Sequence, residues 1–319
     1  PGVDWYTSSR ILEAEQRVVA NAGRTDGRAV DRSLVDLAML EALANGIELT
    51  PGQSDLVRDM ACSGRRVQLA IAPAGTGKTT AMRILGSAWT ESGGTVVGLA
   101  PSAAAAKALE NELGVPCDTL AKLTWSLDHP EQPAPAWVGA IGPKSLVIID
   151  EAGMADTLSL DRAIAEVMIR GGRVRLAGDD RQLSAIGAGG ILRDIESEHG
   201  ACRLDEVLRF DDPAEAAAST ALREGRAEAL SYYLDHDRIH VGAIITMARA
   251  VLDAWTQDHA NGLDAIMLAP TRDLVARLNQ LAQQRYHDGH SMLGRGAGLA
   301  DDNIAAAGGL VITRPHDRR

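Results

Sequence analysis

The feature that most constrains the fold is a glycine-rich stretch between a short apolar run and a longer helical one. Residues 67–72 are mostly aliphatic, residues 73–77 hold two glycines, and residues 79–90 have helical composition. The apolar run is continuous rather than alternating, which is typical of a strand buried on both faces of a parallel sheet. We therefore predict an α/β domain built on a strand, a glycine-rich turn and a helix.

The same alternation recurs along the chain and predicts a doubly wound parallel sheet. The further apolar runs and the helical stretches that follow them are residues 95–100, 103–113, 146–150, 158–170 and 174–178. In such sheets ligands bind at the carboxyl ends of the strands. The proline-bearing residues 127–142 are predicted to form a surface loop.

We divide the chain into a helical segment at 1–48, an α/β domain at 49–204, and the incomplete start of a second such domain at 205–319. In the last part, helices are predicted over 213–223, 227–234, 243–255 and 271–286, and a buried strand over 264–270. The chain opens on proline without a signal-peptide pattern, so we expect it to be a piece of a longer protein.

Composition limits the partners and the compartment. A net charge of −11 argues against binding nucleic acid by bulk electrostatics, though it permits a local track. No run of eighteen apolar residues exists, which excludes a membrane span. The dispersed Cys62, Cys117 and Cys202 indicate reduced thiols and predict the cytoplasm, without a disulfide frame or a metal knuckle.

Residues 72–79 read APAGTGKT, which predicts a phosphate-binding loop. Glycines let the backbone amides and the helix N-terminus point at a phosphate, while Lys78 reaches the β/γ oxygens and the Thr79 hydroxyl ligates Mg²⁺. The predicted nucleotide-binding residues in this loop are Gly75, Thr76, Gly77, Lys78, Thr79 and Thr80. Ala72 replaces the glycine of the usual pattern. The alternative is a glycine-rich loop that serves only as a tight turn.

Two further strand ends carry polar clusters. Asp150 is expected to hold the Mg²⁺ shell and Glu151 to polarise the attacking water, unless the pair is only a solvated turn. Gln182, after the next strand, is suited to sensing the γ-phosphate or the attacking water. Its alternative is a polar turn with a helix cap at Asp179 or Asp180.

These three clusters, in this order, resemble superfamily 1 DNA helicases. The resemblance implies a RecA-like P-loop NTPase fold that uses ATP and Mg²⁺, with Gln53 on the adenine edge. The alternative for Gln53 is an ordinary helix start, capped by Thr50 with Pro51 at the first position. The resemblance also implies that Arg209, from the second motor domain, reaches the γ-phosphate as a catalytic residue; the alternative is a surface arginine paired with Glu206 or Asp211.

The same resemblance implies contacts with single-stranded DNA by Ser102, Lys107 and Thr119. Ser102 is equally suited to capping the helix that follows it, and both roles are compatible. Aromatic side chains that stack on bases are scarce. Trp125 and Trp137 are the only candidates that we place near a DNA face, and the alternative for each is a place in the core.

The chain also resembles the helicase part of TraI/TrwC-type conjugative relaxases, which are RecD-like and belong to the 5′-to-3′ branch of superfamily 1. Besides the motifs above, the stretches that carry this resemblance are residues 6–8, 187–194, 222–226, 266–279 and 311–314. The tyrosine group and the three-histidine metal site of the relaxase half have no counterpart here. His236 and His240 are better explained by an exposed helix face.

The resemblance implies an ATP-dependent helicase motor acting on single-stranded DNA in conjugative plasmid transfer. The expected partners are the C-terminal remainder of the motor and an upstream relaxase domain. One alternative is a RecD-like repair helicase or another nucleic-acid-stimulated NTPase. A second is a fragment that binds nucleotide without unwinding. We expect nucleotide binding, weak hydrolysis and little or no unwinding by this chain.

Overall fold

The computed structural model describes residues 8–179, 181, 190–288, 297–298 and 304–305. The chain forms two compact units, Pro1–Ala229 and Leu230–Arg319. Residues 205–229, which the sequence analysis placed in the second domain, therefore belong to the first unit. The predicted γ-phosphate sensor Gln182 lies outside the described residues.

The first unit is built around a six-stranded sheet in the order β3-β2-β4-β5-β1-β6, in which every pair is parallel. Its strands are β1 (Val67–Ile71), β2 (Thr95–Ala100), β3 (Cys117–Thr119), β4 (Ser145–Ile149), β5 (Arg173–Gly178) and β6 (Cys202–Arg203). The strands β1, β4 and β5 are buried along their whole length. The continuous apolar runs at 67–72, 95–100, 146–150 and 174–178 are therefore confirmed as strands of a parallel sheet.

Helices cover both faces of this sheet. In chain order the first ten are α1 (Ser9–Ala22), α2 (Arg32–Ala44), α3 (Pro51–Cys62), α4 (Lys78–Glu91), α5 (Ala103–Leu113), α6 (Leu120–Asp128), α7 (Ala136–Ala140), α8 (Thr157–Ile169), α9 (Ile191–His199) and α10 (Pro213–Arg223). One apolar core lies between the sheet and α1, α6, α8 and α9, and the other between the sheet and α2 to α5. The doubly wound P-loop fold, preceded by a helical segment, is confirmed.

Local chemistry explains where several helices begin. Thr50 caps α3 through the backbone amide of Gln53, and the Gln53 side chain returns a bond to the Thr50 amide. The side chains of Ser102, Thr119 and Asp156 cap α5, α6 and α8 by accepting one backbone N–H each, without a return bond. Like α7 and α9, α4 begins without a side-chain cap, and its first residue follows the left-handed Gly77.

The second unit holds α12 (Ile244–Ala260), α13 (Arg272–Asp288) and a pair of two-residue strands, β7 (Ala297–Gly298) and β8 (Ile304–Ala305), while α11 (Ala229–Asp235) begins at its boundary. The strand predicted over 264–270 is wrong. Ile266 and Leu268 are each 82% exposed and the segment pairs with no described strand. An apolar run becomes a strand only where a neighbour supplies its hydrogen bonds. No described helix is long and apolar enough to span a membrane.

Candidate nucleotide-binding site

The glycine-rich loop turns at the carboxyl end of β1 in a backbone conformation that requires glycine. Gly75 and Gly77 have φ angles of 86° and 73°, in the left-handed region. A Cβ atom on Gly77 would lie 2.1 Å from the Gln53 side-chain nitrogen, and one on Gly75 would lie 2.8 Å from Cβ of Arg209. The buried Thr76 closes the turn by donating its hydroxyl to the carbonyl of Pro73 at 2.9 Å. Side chains at the two glycines would therefore disrupt the loop.

Lys78 joins this loop to the end of β4. Its Nζ atom lies 2.6 Å from Asp150 Oδ1 and 3.2 Å from Glu151 Oε1. Burial by itself lowers the pKa of Lys78, but the two carboxylates outweigh that effect and the pKa is raised. The cation and both carboxylates that the sequence predicted as catalytic or metal-binding are therefore in direct contact.

Glu151 is held in an unusual conformation at the end of β4. Its φ and ψ of 50° and 37° are left-handed, which few residues other than glycine adopt. Its Oε1 atom meets Lys78, whereas Oε2 is buried and has no partner in the described part of the chain. Backbone strain of this kind costs about 1–3 kcal/mol and is concentrated at functional sites.

The third strand end is tied to α10 by an ion pair that sequence reasoning missed. Asp179 follows β5 and receives Arg223 Nη2 at 2.5 Å and Nε at 3.2 Å, besides the amide of Arg181 at 3.0 Å. Burial raises the pKa of Asp179, but the bonds from Arg223 and Arg181 outweigh it, and the pKa is lowered. The two residues are 44 positions apart and no spacing rule links them.

Two glycines let the ends of β4 and β5 approach closely. A Cβ atom on Gly153 would come within 3.1 Å of the carbonyl oxygen of Asp179, and one on Gly178 within 3.2 Å of the Gly153 amide. The backbone that carries Asp179 therefore packs directly on the turn that follows Glu151. Through this contact, the Arg223 ion pair supports the carboxylate pair at the end of β4.

Gln53 lies under the loop and is only 3% exposed. Its amide oxygen accepts from the Thr50 amide at 2.9 Å, and its amide nitrogen donates to the Thr76 carbonyl at 2.9 Å. The helix-start alternative is thus confirmed as a capping box, with a second bond to the loop. The adenine contact stays a prediction, and the second N–H and the second lone pair of the Gln53 amide would serve it.

Arg209 lies on the outer side of the loop. The amide of its neighbour Leu208 donates to the Gly75 carbonyl at 2.7 Å, and Arg209 lines the same cleft as Lys78. Both belong to the first compact unit. Among the described residues Arg209 makes no ion pair with Glu206 or Asp211, so the surface-pair alternative is not observed.

The glycine-rich loop, the two carboxylates at the end of β4 and Arg209 border a cleft of about 330 Å³. Its lining comprises Ala72, Pro73, Ala74, Gly75, Gly77, Lys78, Thr79, Thr80, Glu112, Asp150, Glu151 and Arg209. Glu112 was not predicted, since a single exposed carboxylate on a helix gives no sequence signal. A larger cavity, of about 480 Å³, lies near the amino end of β1 beside Arg65, Gln68 and Cys202, and none of the predicted site residues lines it.

The side chains of this cleft fit a nucleotide with Mg²⁺. The amides of the first turn of α4 have no side-chain cap, which leaves them free to donate to phosphate oxygens. Lys78 supplies a cation, Thr79 and Asp150 supply hard oxygen ligands, and the unpartnered Glu151 Oε2 is an acceptor for a water proton.

The three predicted DNA contacts lie apart from this cleft. Ser102 follows β2 and Thr119 ends the neighbouring strand β3. Each caps the helix that it starts, Ser102 accepting from Ala105 N at 3.2 Å and Thr119 from Lys122 N at 3.0 Å. Lys107 forms an exposed ion pair with Glu110 at 2.5 Å. The capping alternative for Ser102 is confirmed, and the DNA contacts stay predictions.

A family described as an AAA domain matches residues 48–243, more than half of the chain. The chain belongs to this AAA domain family. The match covers the glycine-rich loop, both carboxylates at the end of β4, Asp179, Arg209 and Arg223. The AAA domain assignment thus includes every residue that lines the cleft.

The AAA domain is also similar to curated proteins. It is 31% identical to a conjugal transfer protein TraA of Rhizobium radiobacter over 72% of this chain and 20% of that protein. It is 27% identical to a probable TraA of Sinorhizobium fredii over 88% of this chain and 25% of that protein. The chain therefore spans a fifth to a quarter of these relatives. The family match and these relatives confirm the resemblance to the helicase portion of a conjugative relaxase.

Among solved structures, the chain is similar to the Pif1 helicase of Candida albicans. The two are 16% identical, with a TM-score of 0.46, over 79% of this chain and 64% of that one.

Proposed function

We propose that this chain is the ATP-hydrolysing motor core of a superfamily 1 helicase that moves 5′-to-3′ on single-stranded DNA during conjugative transfer. The observation that carries the proposal is the contact of Lys78 with Asp150 and Glu151 beside the glycine-rich loop. A structural ion pair needs neither a left-handed glutamate nor uncapped helix amides nearby. The similarity to TraA proteins supports the conjugative context, and the polarity rests on the family resemblance alone.

In the proposed reaction, Lys78 leaves the two carboxylates and pairs with the β- and γ-phosphates. Mg²⁺, when bound by Thr79 and Asp150, would neutralise charge on the phosphate oxygens. Glu151 then orients water for attack on the γ-phosphorus and takes its proton as ADP leaves. Arg209 stabilises the charge that develops on the transferred phosphoryl group. Gln53 at the adenine and Gln182 at the γ-phosphate complete the proposed nucleotide contacts.

The domain division belongs to the same proposal. Residues 49–204 would form the first RecA-like motor domain and residues 205–319 would begin the second, although residues 205–229 belong to the first compact unit. Hydrolysis would then change the contact of Arg209 with the nucleotide, and Ser102, Lys107 and Thr119 would hold the DNA strand.

Separate measurements of binding and turnover test this assignment. Lys78→Ala should weaken ATP binding and abolish hydrolysis, because it removes the cation for the phosphates. Glu151→Gln keeps a polar group of the same size but no base, so it should bind ATP normally and lose about 10²–10³ in turnover. Lys144→Ala, an exposed lysine just before β4, is the matched control. Unchanged hydrolysis in either site variant would contradict the proposal.

A further inference from the structure

An exposed tryptophan on α6 lies between a cation and a second ring. The indole of Trp125 is 41% exposed. Lys122 Nζ lies 4.8 Å from the centroid of the ring, and the imidazole of His129 stacks on it with centroids 4.5 Å apart and planes inclined by 18°. We name these three side chains the Trp125 platform.

The Trp125 platform is held rigidly. The backbone of α6 is anchored by the buried side chains of Leu120 and Leu123, and its first turn is capped by Thr119. His129 is fixed at the other end, since its Nδ1 lies 2.9 Å from the Trp125 carbonyl oxygen and donates to it. A ring that is already ordered loses little conformational entropy when a ligand stacks on it.

Other tryptophans of the first unit are used differently. Trp89 is fully buried and donates its indole N–H to the Lys144 carbonyl at 2.8 Å. Trp137, the other aromatic candidate from the sequence, packs against the core. Of the described tryptophans in this unit, Trp125 alone is exposed. Burial in the core therefore does not explain it.

The position of α6 relates the Trp125 platform to the rest of the site. The helix starts directly after β3, whose last residue Thr119 pairs in register with Ala100 at the end of β2. Because parallel strands end at the same edge of the sheet, α6 begins at the edge that also carries Ser102 and the glycine-rich loop. A DNA strand held by Ser102 and Thr119, as proposed above, would lie at the start of α6, and Trp125 is about 9 Å along that helix from Thr119.

We propose that the Trp125 platform stacks a base of single-stranded DNA, a proposal that rests on the motor function above. Every base has a π-face, so such a site suits a motor that reads no sequence. An exposed cation–π contact is worth about two- to fivefold in an equilibrium constant, whereas a stacked base is worth about five- to 150-fold. A base therefore displaces Lys122 from the ring, and the freed ammonium pairs with a phosphate. In a chain of net charge −11, this local grip replaces a basic stripe.

The test titrates the full 319-residue chain with a short oligothymidylate and with an abasic strand of equal length. Both probes carry the phosphates, but only the first can stack. Wild type should prefer oligothymidylate, and Trp125→Ala should lose about five- to 150-fold in affinity for it while its affinity for the abasic strand stays the same. Trp125→Phe should restore most of the preference. Trp137→Phe is the matched control and should resemble wild type.

Fluorescence and hydrolysis separate the possible failures. Quenching of tryptophan emission by oligothymidylate should largely disappear in Trp125→Phe although the strand still binds. ATP hydrolysis without DNA should be equal in wild type and Trp125→Ala. If wild type and Trp125→Ala bind oligothymidylate with equal affinity, the Trp125 platform does not stack a base. The proposed motor function would not be affected by that result. If the wild-type chain does not hydrolyse ATP at all, that result would instead contradict the motor function.

Discussion

The carboxyl edge of the sheet has two halves. At the ends of β1, β4 and β5, which we call the inner half, polar side chains bond to residues of other strands or helices. Those at the ends of β2 and β3, the outer half, bond to the backbone of the helix that they start. In the inner half, Lys78 reaches two carboxylates of another strand and Asp179 is bound by Arg223 of α10. In the outer half, Ser102 and Thr119 are local caps.

This difference indicates two kinds of site on one edge. Long-range contacts fix atoms relative to one another, as catalysis requires. Local caps stabilise a helix without fixing anything beyond it, and this suffices for a surface along which a strand must slide. Substitutions in the inner half should therefore have large effects that spread, and those in the outer half small effects that stay local.

After Lys78→Ala, which should abolish hydrolysis, the largest effect is expected from Arg209→Ala in the inner half. An arginine that stabilises the transferred phosphoryl group is worth about 10³–10⁵ in rate. Because Arg209 is exposed and makes no ion pair among the described residues, its removal should leave the melting temperature unchanged. Hydrolysis rates and thermal unfolding, compared with the exposed control Arg10→Ala, check both statements. If the rate of hydrolysis falls by less than tenfold, Arg209 is not a catalytic residue.

The next largest effect is expected from Arg223→Leu, since this change leaves the buried Asp179 without its cation. We expect a loss of about 2–3 kcal/mol in the free energy of unfolding, below the range for a fully buried pair because the Arg223 side chain is 22% exposed. Denaturant unfolding measures this loss. Arg226→Ala removes two solvent-accessible ion pairs, with Glu224 and Glu228, and should cost less than about 1 kcal/mol.

The ion pair of Asp179 with Arg223 also predicts how the free energy of unfolding depends on pH. The lowered pKa of Asp179 means that its contribution is complete above the unfolded value of about 4 and is lost as the pH falls through the folded value. The stability gap between wild type and Arg223→Leu should therefore narrow below about pH 4. A gap that stays constant down to about pH 2 would show that the ion pair is not its source.

Gln53 tests whether a cap also supports the loop. Gln53→Ala removes both bonds and should cost about 1–3 kcal/mol, whereas Gln53→Glu keeps an acceptor for the Thr50 amide but loses the donor to the Thr76 carbonyl. Both variants should bind ATP more weakly than wild type in equilibrium titrations. If Gln53→Glu binds ATP normally, the only role of Gln53 is to cap the start of α3.

The smallest effect is expected in the outer half. Ser102→Ala should cost about 0.5–2 kcal/mol in stability because α5 loses its cap, whereas Ser102→Asp keeps the cap. If Ser102 also faces the DNA backbone, the added charge in Ser102→Asp should weaken strand binding several-fold at unchanged stability. Equal strand affinity in wild type and Ser102→Asp would leave Ser102 as a cap only.

The sequence predicted what depends on neighbours along the chain. The bounds of α5 and α10 agree with prediction. Strands β1 and β5 differ from prediction by one residue at one end, and β4 is shifted by one residue, because apolar runs and capping residues set these bounds locally. The short strands β3 and β6 were missed, since a few residues carry no periodicity. Ile266 and Leu268 show the opposite error, an apolar run without a strand partner.

The candidate site divides in the same way. The loop, Lys78 and the two carboxylates follow from short motifs whose chemistry demands adjacent residues. The Asp179–Arg223 pair, the bond from Gln53 to the loop and the left-handed Glu151 depend on which segments the fold brings together, and no local pattern encodes them.

The central claim is that one edge of the sheet couples ATP hydrolysis to a DNA strand. The most direct measurement is the rate of ATP hydrolysis by the full chain with and without single-stranded DNA, in wild type and Lys78→Ala. We predict weak hydrolysis by wild type that rises when the strand is added, and none by Lys78→Ala under either condition. A rate that the strand does not change, or that survives in Lys78→Ala, would contradict the account.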